Sequence, residues 1–305
     1  MAVIARRSSG GLQRREAIEG FLCIFPWFVG FILFTFAPMI GSLVLSFTRW
    51  EVLSPLEWIG FKNFERMAVD ELFYTALINT AYVSIGSVPL QLAFALLIAL
   101  GLNQKLAGIG FYRTVFYLPS QVPLVSNALL WMWMLNPDFG LVNLFLSWVG
   151  VQGPQWLWDP VWAKPAIIFI TLWGVGQAMM IFLAGLQGIS ETLYEAASID
   201  GAGAWTRFRH ITLPMLSPIL FFNLVIGIIA SFQAYFTLVY ITTKGGPANA
   251  TLIYIIYIFL KAFQDFEMGY AAALAWVLFM VVMAFTGFQF WLARRWVYYE
   301  GGDRK

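Results

Sequence analysis

Long apolar runs separated by short polar segments dominate the chain. A helix needs about 20 mostly apolar residues to cross a hydrocarbon core. Six runs reach that length, at 20–48, 75–102, 113–135, 163–187, 216–242 and 268–293. Two more apolar stretches, 139–149 and 251–263, are too short to cross and carry polar residues, and they are expected as interfacial or re-entrant helices on the outer side. The first run continues well beyond the apolar core of a secretion signal, and no small-residue cleavage site interrupts it. It is expected as a retained span in which Pro26 and Pro38 kink or end helical turns. The pattern predicts an all-α integral membrane protein with six transmembrane helices.

Composition agrees and narrows the chemistry. Of 305 residues, 60% are hydrophobic, 18% aromatic and only 11% charged, with a mean hydropathy of +0.76. So little charge requires lipid as the solvent for most of the chain. Cys23 is the only cysteine and His210 the only histidine, which excludes an intrachain disulfide, a cysteine-cluster metal site and a two-histidine zinc site. Six of the 18 basic residues, Arg49, Lys62, Arg66, Lys164, Lys244 and Lys261, fall on one side of a six-span arrangement. The other twelve, among them Arg6, Arg7, Lys105, Arg207, Arg304 and Lys305, fall on the opposite side. Basic residues concentrate in cytoplasmic loops, so the bias places both termini (1–19 and 294–305) and the 188–215 loop in the cytoplasm. Asp138, Asp159, Asp265 and Glu267 then fall in outer loops and are expected to be solvated. Trp50, Trp131, Trp133, Trp291 and Trp296 lie near span ends and are expected as interfacial anchors.

The cytoplasmic loop carries the densest polar pattern, EAASIDGAGAWTRFRHITLP at 195–214. Ser190 is placed to cap a short helix opening at Glu191, whose charge favours the positive helix end. Gly201, following Asp200, accepts a positive φ and permits a turn. A second helical stretch, about 204–211, puts Trp205, Phe208 and Ile211 on adjacent turns of one side, and Pro214 marks the entry to the fifth span. A bent, two-helix element results. A lipid-lying amphipathic helix would account for Arg207, Arg209 and Trp205 but has no need of the whole spacing.

The segment resembles the EAA loop of ABC importer permeases. Seven positions match in register: Glu195, Ala196, Ala197, Gly201, Ile211, Leu213 and Pro214. The resemblance implies the type I ABC importer permease fold, with a cytoplasmic coupling helix that docks on an ATPase through these residues and Asp200. No GxxxxGK phosphate-binding loop, GxSxG elbow or GxGxxG after a strand is present, so the chain is not expected to be an enzyme or to hold a cofactor of its own. ATP would be bound by partner ATPase subunits.

Further stretches, GFKNFERM at 60–67, FYRTVFYLP at 111–119, ALLWMWMLNPDFGLVN at 128–143, GGP at 245–247 and AFQDFEMGYAAALAW at 262–276, resemble the MalF-like sugar-importer branch of that family. This implies a sugar substrate, a second permease subunit, two ATPase subunits and an extracytoplasmic solute-binding protein, in a bacterial or archaeal cytoplasmic membrane, with no role for nucleic acid. A sugar path needs hydroxyl-bonding groups and aromatic faces. The later spans offer Trp173, Gln177, Asn223, Phe232, Gln233, Tyr235, Phe236 and Tyr240. An amide within the hydrocarbon must find a partner in a cavity or a helix interface, and Gln177 and Gln233 fit either. The alternative is a permease of the same class for a non-sugar solute, because the loop pattern reads the ATPase and not the cargo. An ion-driven secondary transporter is disfavoured, since the span centres are almost free of charge and no inverted repeat is visible.

Overall fold

A computed structural model describes residues 10–104 and 107–298, the first four of these by their backbone alone. The expectations attached to Arg6, Arg7, Lys105, Arg304 and Lys305 lie outside the described residues. The chain divides into two compact units, residues 1–66 with 261–276, and residues 67–260 with 277–305.

The first unit opens with helix α1 (Gly10–Phe31), which passes through a π-helical turn (Ile32–Phe36) into α2 (Ala37–Leu45). Pro38 was expected to kink or end a helical turn, and the helix passes it through that π-helical turn. Proline lacks an N–H and its ring crowds the carbonyl four residues back. The wide turn just before it, closed by the Ala37 N–H on the Ile32 carbonyl, shifts the register and absorbs the defect. Two short antiparallel strands follow, β1 (Thr48–Arg49) and β2 (Glu57–Trp58), with Thr48 opposite Trp58. Buried Asn63 fastens this hairpin by donating to the carbonyls of Ser46 and Thr48, both at 2.9 Å. Glu267 and Asp265 are not simply solvated. Glu267 accepts two 3.0 Å hydrogen bonds from the Arg66 guanidinium, and Lys261 lies 2.8 Å from Asp265 and 3.5 Å from Glu267. Burial acts to lower the Lys261 pKa, but these two carboxylates outweigh it and hold the ammonium above its ordinary range.

The second unit holds the core. After α3 (Lys62–Ala68) comes α4 (Glu71–Leu102), capped by Asp70, whose Oδ1 accepts from the Leu72 and Phe73 amides. The run expected at 113–135 is not one helix. It divides into α5 (Ile109–Tyr117), a 3₁₀ turn (Leu118–Gln121) and α6 (Leu124–Met134). Pro119 and Pro123 remove two donors, and Val122, forced out of the helical region by the proline after it, is extended at φ −70°, ψ 128°. Next come α7 (Leu141–Trp148), α8 (Ala163–Leu172) and α9 (Gly176–Gly188). The last two form the run expected at 163–187, bent by 46° where Gly174 and Gly176 flank the joint. The remaining helices are α10 (Glu191–Ile199), α11 (Ala204–Arg207), a π-helical turn (Phe208–Thr212), α12 (Leu213–Gln233), α13 (Tyr235–Thr242), α14 (Tyr254–Phe263) and α15 (Met268–Ala293). Among the described residues, four helices are long and apolar enough to cross a membrane, and five if α8 and α9 form one bent span. Six spans were expected, and the run at 113–135 in particular is divided among shorter elements.

Helix α4 is the central post, packed against α8, α9 and α12. Val88, Leu92, Ala95, Leu96 and Ala99 on α4 meet Met179, Phe182, Leu183 and Leu186 on α9 and Leu216 on α12. Small residues bring backbones together: a Cβ on Gly176 would lie 2.9 Å from the Phe116 carbonyl oxygen and from the Tyr117 Cα. One face of α4 is polar, with Thr80, Ser84, Ser87 and Gln91 spaced by four, three and four residues. Thr80 Oγ1 accepts from the Tyr254 amide at 2.8 Å, and Ser84 Oγ accepts from Ser231 Oγ at 2.9 Å. Ser87 Oγ and Gln91 Nε2 both meet the Tyr235 hydroxyl, at 2.8 and 2.9 Å. Asn79, one residue before this stripe, donates to the Asn249 and Leu252 carbonyls and accepts from Lys164 Nζ at 3.1 Å.

The half-buried Tyr235 hydroxyl bonds Ser87 and Gln91 of α4, so Tyr235→Phe is expected to destabilise the purified protein by about 1 kcal/mol. Tyr240→Phe removes a hydroxyl outside this seam and is expected to cost less. Thermal unfolding in detergent measures both, and equal losses would show that the seam does not hold the helices together.

Candidate functional site

The 195–214 segment folds as two legs about Gly201. Ser190 caps the first leg, α10, by accepting from the Thr192 amide at 3.3 Å. The leg ends in a Schellman turn. The Gly201 amide donates to the Ser198 carbonyl at 3.1 Å and the Ala202 amide to the Ala197 carbonyl at 2.8 Å, with Gly201 at φ +76°. The second leg does not stop where Pro214 was expected to mark a boundary. Residues Ala204–Thr242 run as one 39-residue apolar helix. The π-turn before Pro214, closed by the Leu213 N–H on the Phe208 carbonyl, accommodates the missing proline donor, as the similar turn does before Pro38.

Hydrogen bonds tie the two legs together. The Tyr194 hydroxyl meets Thr212 Oγ1 at 2.9 Å, and Arg207 donates to Ser198 Oγ at 3.0 Å, while that hydroxyl donates to the Tyr194 carbonyl. The seven residues of the pattern, and Asp200 with them, then divide by environment. Ile211 packs against the core, and Leu213 and Pro214 are half-buried at the root of α12. Glu195, Ala196, Asp200 and Gly201 are exposed, and Ala197 is half-buried. Leu193, Ala196 and Ile199 recur every third residue along α10, and Ile199 is 87% exposed. Trp205 was expected to share a side with Phe208 and Ile211. It is 70% exposed, whereas the other two lie on the core. A cleft of about 1030 Å³ adjoins the first leg, with Asn103, Arg113, Glu191, Glu195 and Arg207 in its wall. The arrangement is a rigid bracket with an acidic and apolar outer face.

The eight expected pathway residues occupy different environments. Phe236 stacks on Tyr240 at 5.3 Å, and both meet Phe259 at 5.1 Å. Trp173, at the bend between α8 and α9, lies edge-on to Trp131 at 5.9 Å. Trp131 itself is 8% exposed and sits in the interior, not at an interface. Gln177 and Gln233 are exposed. Asn223 and Phe232 are buried, and Asn223 Nδ2 donates to the Ile219 carbonyl one turn back at 3.0 Å, which satisfies the amide locally. Tyr235 belongs to the polar seam. Sequence reasoning missed that seam, although four uncharged polar residues at helical spacing within the apolar 75–102 run were the available signal.

Residues 91–298 match the family described as the binding-protein-dependent transport system inner membrane component. The chain is 42% identical over 295 residues to the probable ABC transporter permease protein YesP of Bacillus subtilis (strain 168), covering 95% of each chain. It is 36% identical over 298 residues to the lactose transport system permease protein LacF of Rhizobium radiobacter, covering 95% of this chain and 99% of that one. Its fold matches the solved structure of a bacterial alginate ABC transporter in complex with an alginate pentasaccharide-bound periplasmic protein. The TM-score is 0.83 and the identity 25%, over 94% of this chain and 98% of that one. The chain therefore belongs to the family of binding-protein-dependent transport system inner membrane components, and is a multi-pass membrane subunit of a transporter rather than an enzyme.

Proposed function

We propose that this chain is a pore-forming subunit of an ATP-driven sugar importer in a bacterial or archaeal cytoplasmic membrane, with both termini in the cytoplasm. The observation that carries this is the bracket at 191–212, whose exposed first leg is bonded to a helix that continues without a stop to Thr242. A partner ATPase pressing on Glu195, Ala196 and Ile199 would move the root of α12, and with it Tyr235 and the aromatic cluster at Phe236 and Tyr240. The chain has no phosphate-binding loop, so ATP is held by two ATPase subunits. A second permease completes the pore, and an extracytoplasmic binding protein delivers the solute. A sugar is favoured by the lactose permease likeness and by the aromatic faces and exposed amides that the later helices carry. Trp173, Phe236 and Tyr240 would lie against sugar C–H faces, while Gln177 and Gln233 would bond hydroxyls.

Three outcomes are expected. Open space surrounds Gly201, so Gly201→Val creates no clash and acts through backbone strain at φ +76°, about 1–3 kcal/mol. Gly201→Val and Glu195→Lys are expected to leave the protein inserted but to cut transport by about tenfold, through lost ATPase attachment or uncoupled hydrolysis. Co-purification with the ATPase and hydrolysis in vesicles measure this, and normal coupling in both variants would remove the ATPase-docking role. For orientation, with Cys23 replaced, a cysteine at Ser198 should resist an impermeant thiol reagent in intact cells and one at Ala248 should react. Labelling of Ser198 from outside would reverse the topology. For cargo, vesicles holding the complete transporter are expected to take up at least one of labelled lactose, maltose and alginate oligosaccharides. Gln233→Leu is expected to change the preference among them without loss of the ATPase, and unchanged uptake would make Gln233 a packing residue.

A further inference from the structure

The root of α12 carries a second proline defect that the coupling function does not by itself explain. In a helix the carbonyl of residue 214 accepts from the amide of residue 218, but residue 218 is Pro218 and has no N–H. The Pro214 carbonyl is thus deprived of its helical donor at the very turn where the bracket joins its span. Ser217, 3% exposed, supplies the donor: its hydroxyl hydrogen goes to the Pro214 carbonyl at 2.6 Å. Ser217 Oγ in turn accepts the backbone N–H of Tyr298 at 2.8 Å, from the segment that follows α15. Aromatic contacts close around this junction. Phe221, one turn along α12, meets Phe290 of α15 at 5.1 Å and Trp296 of the following segment at 6.2 Å, both edge-on.

We propose that Ser217 is a positioning residue for coupling, whose hydroxyl latches the 294–298 segment to the proline-weakened turn of α12 so that movement of the bracket reaches α15 as well as α12. The role rests on the coupling function proposed above. Two features set this contact apart from ordinary packing. One oxygen bridges two chain segments 81 residues apart, and it does so at the turn of α12 that Pro218 deprives of a backbone donor. A helix pulled at its root yields first where a ladder bond is missing, and the latch ties that place to the end of the chain's last long helix.

The test follows the two helices separately in the complete complex with its ATPase and binding protein, trapped with ATP and vanadate or left without nucleotide. Spin-label pairs at exposed Leu97 and Phe222, and at exposed Leu97 and Phe288, report α12 and α15 against α4. In the wild type, trapping is expected to shift both pairs. Tyr298→Pro removes the amide hydrogen while leaving Ser217 on Pro214. It is expected to keep the Phe222 shift and to reduce the Phe288 shift about twofold or more. Tyr298→Ala keeps the amide and is expected to behave as wild type. Ser217→Ala should reproduce the proline variant and Ser217→Thr should restore the shift. If Ser217→Ala does not assemble, the comparison of Tyr298→Pro with Tyr298→Ala decides. A full Phe288 shift in Tyr298→Pro, or an equal loss in Tyr298→Ala, overturns the latch. No shift at either pair in the wild type would instead overturn the coupling function, and the latch with it.

Discussion

Within a hydrocarbon solvent a backbone polar group without a partner costs several kcal/mol, so the placement of every missing donor governs how the chain can run. Prolines set several of those places here, and at Pro38, Pro119, Pro123, Pro214 and Pro218 the structure answers in three ways. A π-turn precedes Pro38 and another precedes Pro214, and in both the helix passes on. At Pro119 and Pro123 the defects lie four residues apart, and the helix gives way to a 3₁₀ turn and an extended residue. At Pro218 a serine hydroxyl substitutes for the lost donor and also holds the segment that follows α15. The same chemical deficiency thus yields continuity, a break or a junction, according to what lies within reach.

Around this backbone, α4 organises the second unit by offering two different faces. Its apolar side meets α9 and α12 through Ala95, Ala99 and larger aliphatic residues. Its polar side hydrogen-bonds Ser231 and Tyr235 and the first residue of α14. Apolar contact alone discriminates little in a membrane, because lipid tails are as apolar as leucine. The hydroxyl and amide seam supplies the register, and small residues such as Gly176 allow the close approach. The α8–α9 bend next to that glycine brings Trp173 onto Trp131.

The bracket inherits its stiffness from this core. Ile211 and Phe208 are seated on it, Tyr194 is bonded to Thr212, and Arg207 crosses to Ser198. What is left outward is a small face of acid, alanine and isoleucine on α10. Its two ends are fixed by a serine cap and a left-handed glycine, so the face is presented without a flexible hinge between it and α12.

The sequence by itself determined the helical membrane class, the apolar runs, the Ser190 cap and the turn at Gly201, because these depend on composition, on run length and on the conformational range of single residues. The 268–293 run coincides with α15, and the matched positions 195–214 carry the bracket. Only the tertiary structure decided whether a proline breaks a helix, since Pro119 and Pro214 read alike in one dimension and differ in the backbone that surrounds them. It also decided which polar residues are spoken for: Asn223 bonds its own helix, Tyr235 joins the α4 seam, and Gln233 stays exposed. The junction at Ser217 was beyond reach of the sequence, because its partner lies 81 residues away and contributes a backbone amide that no side chain announces.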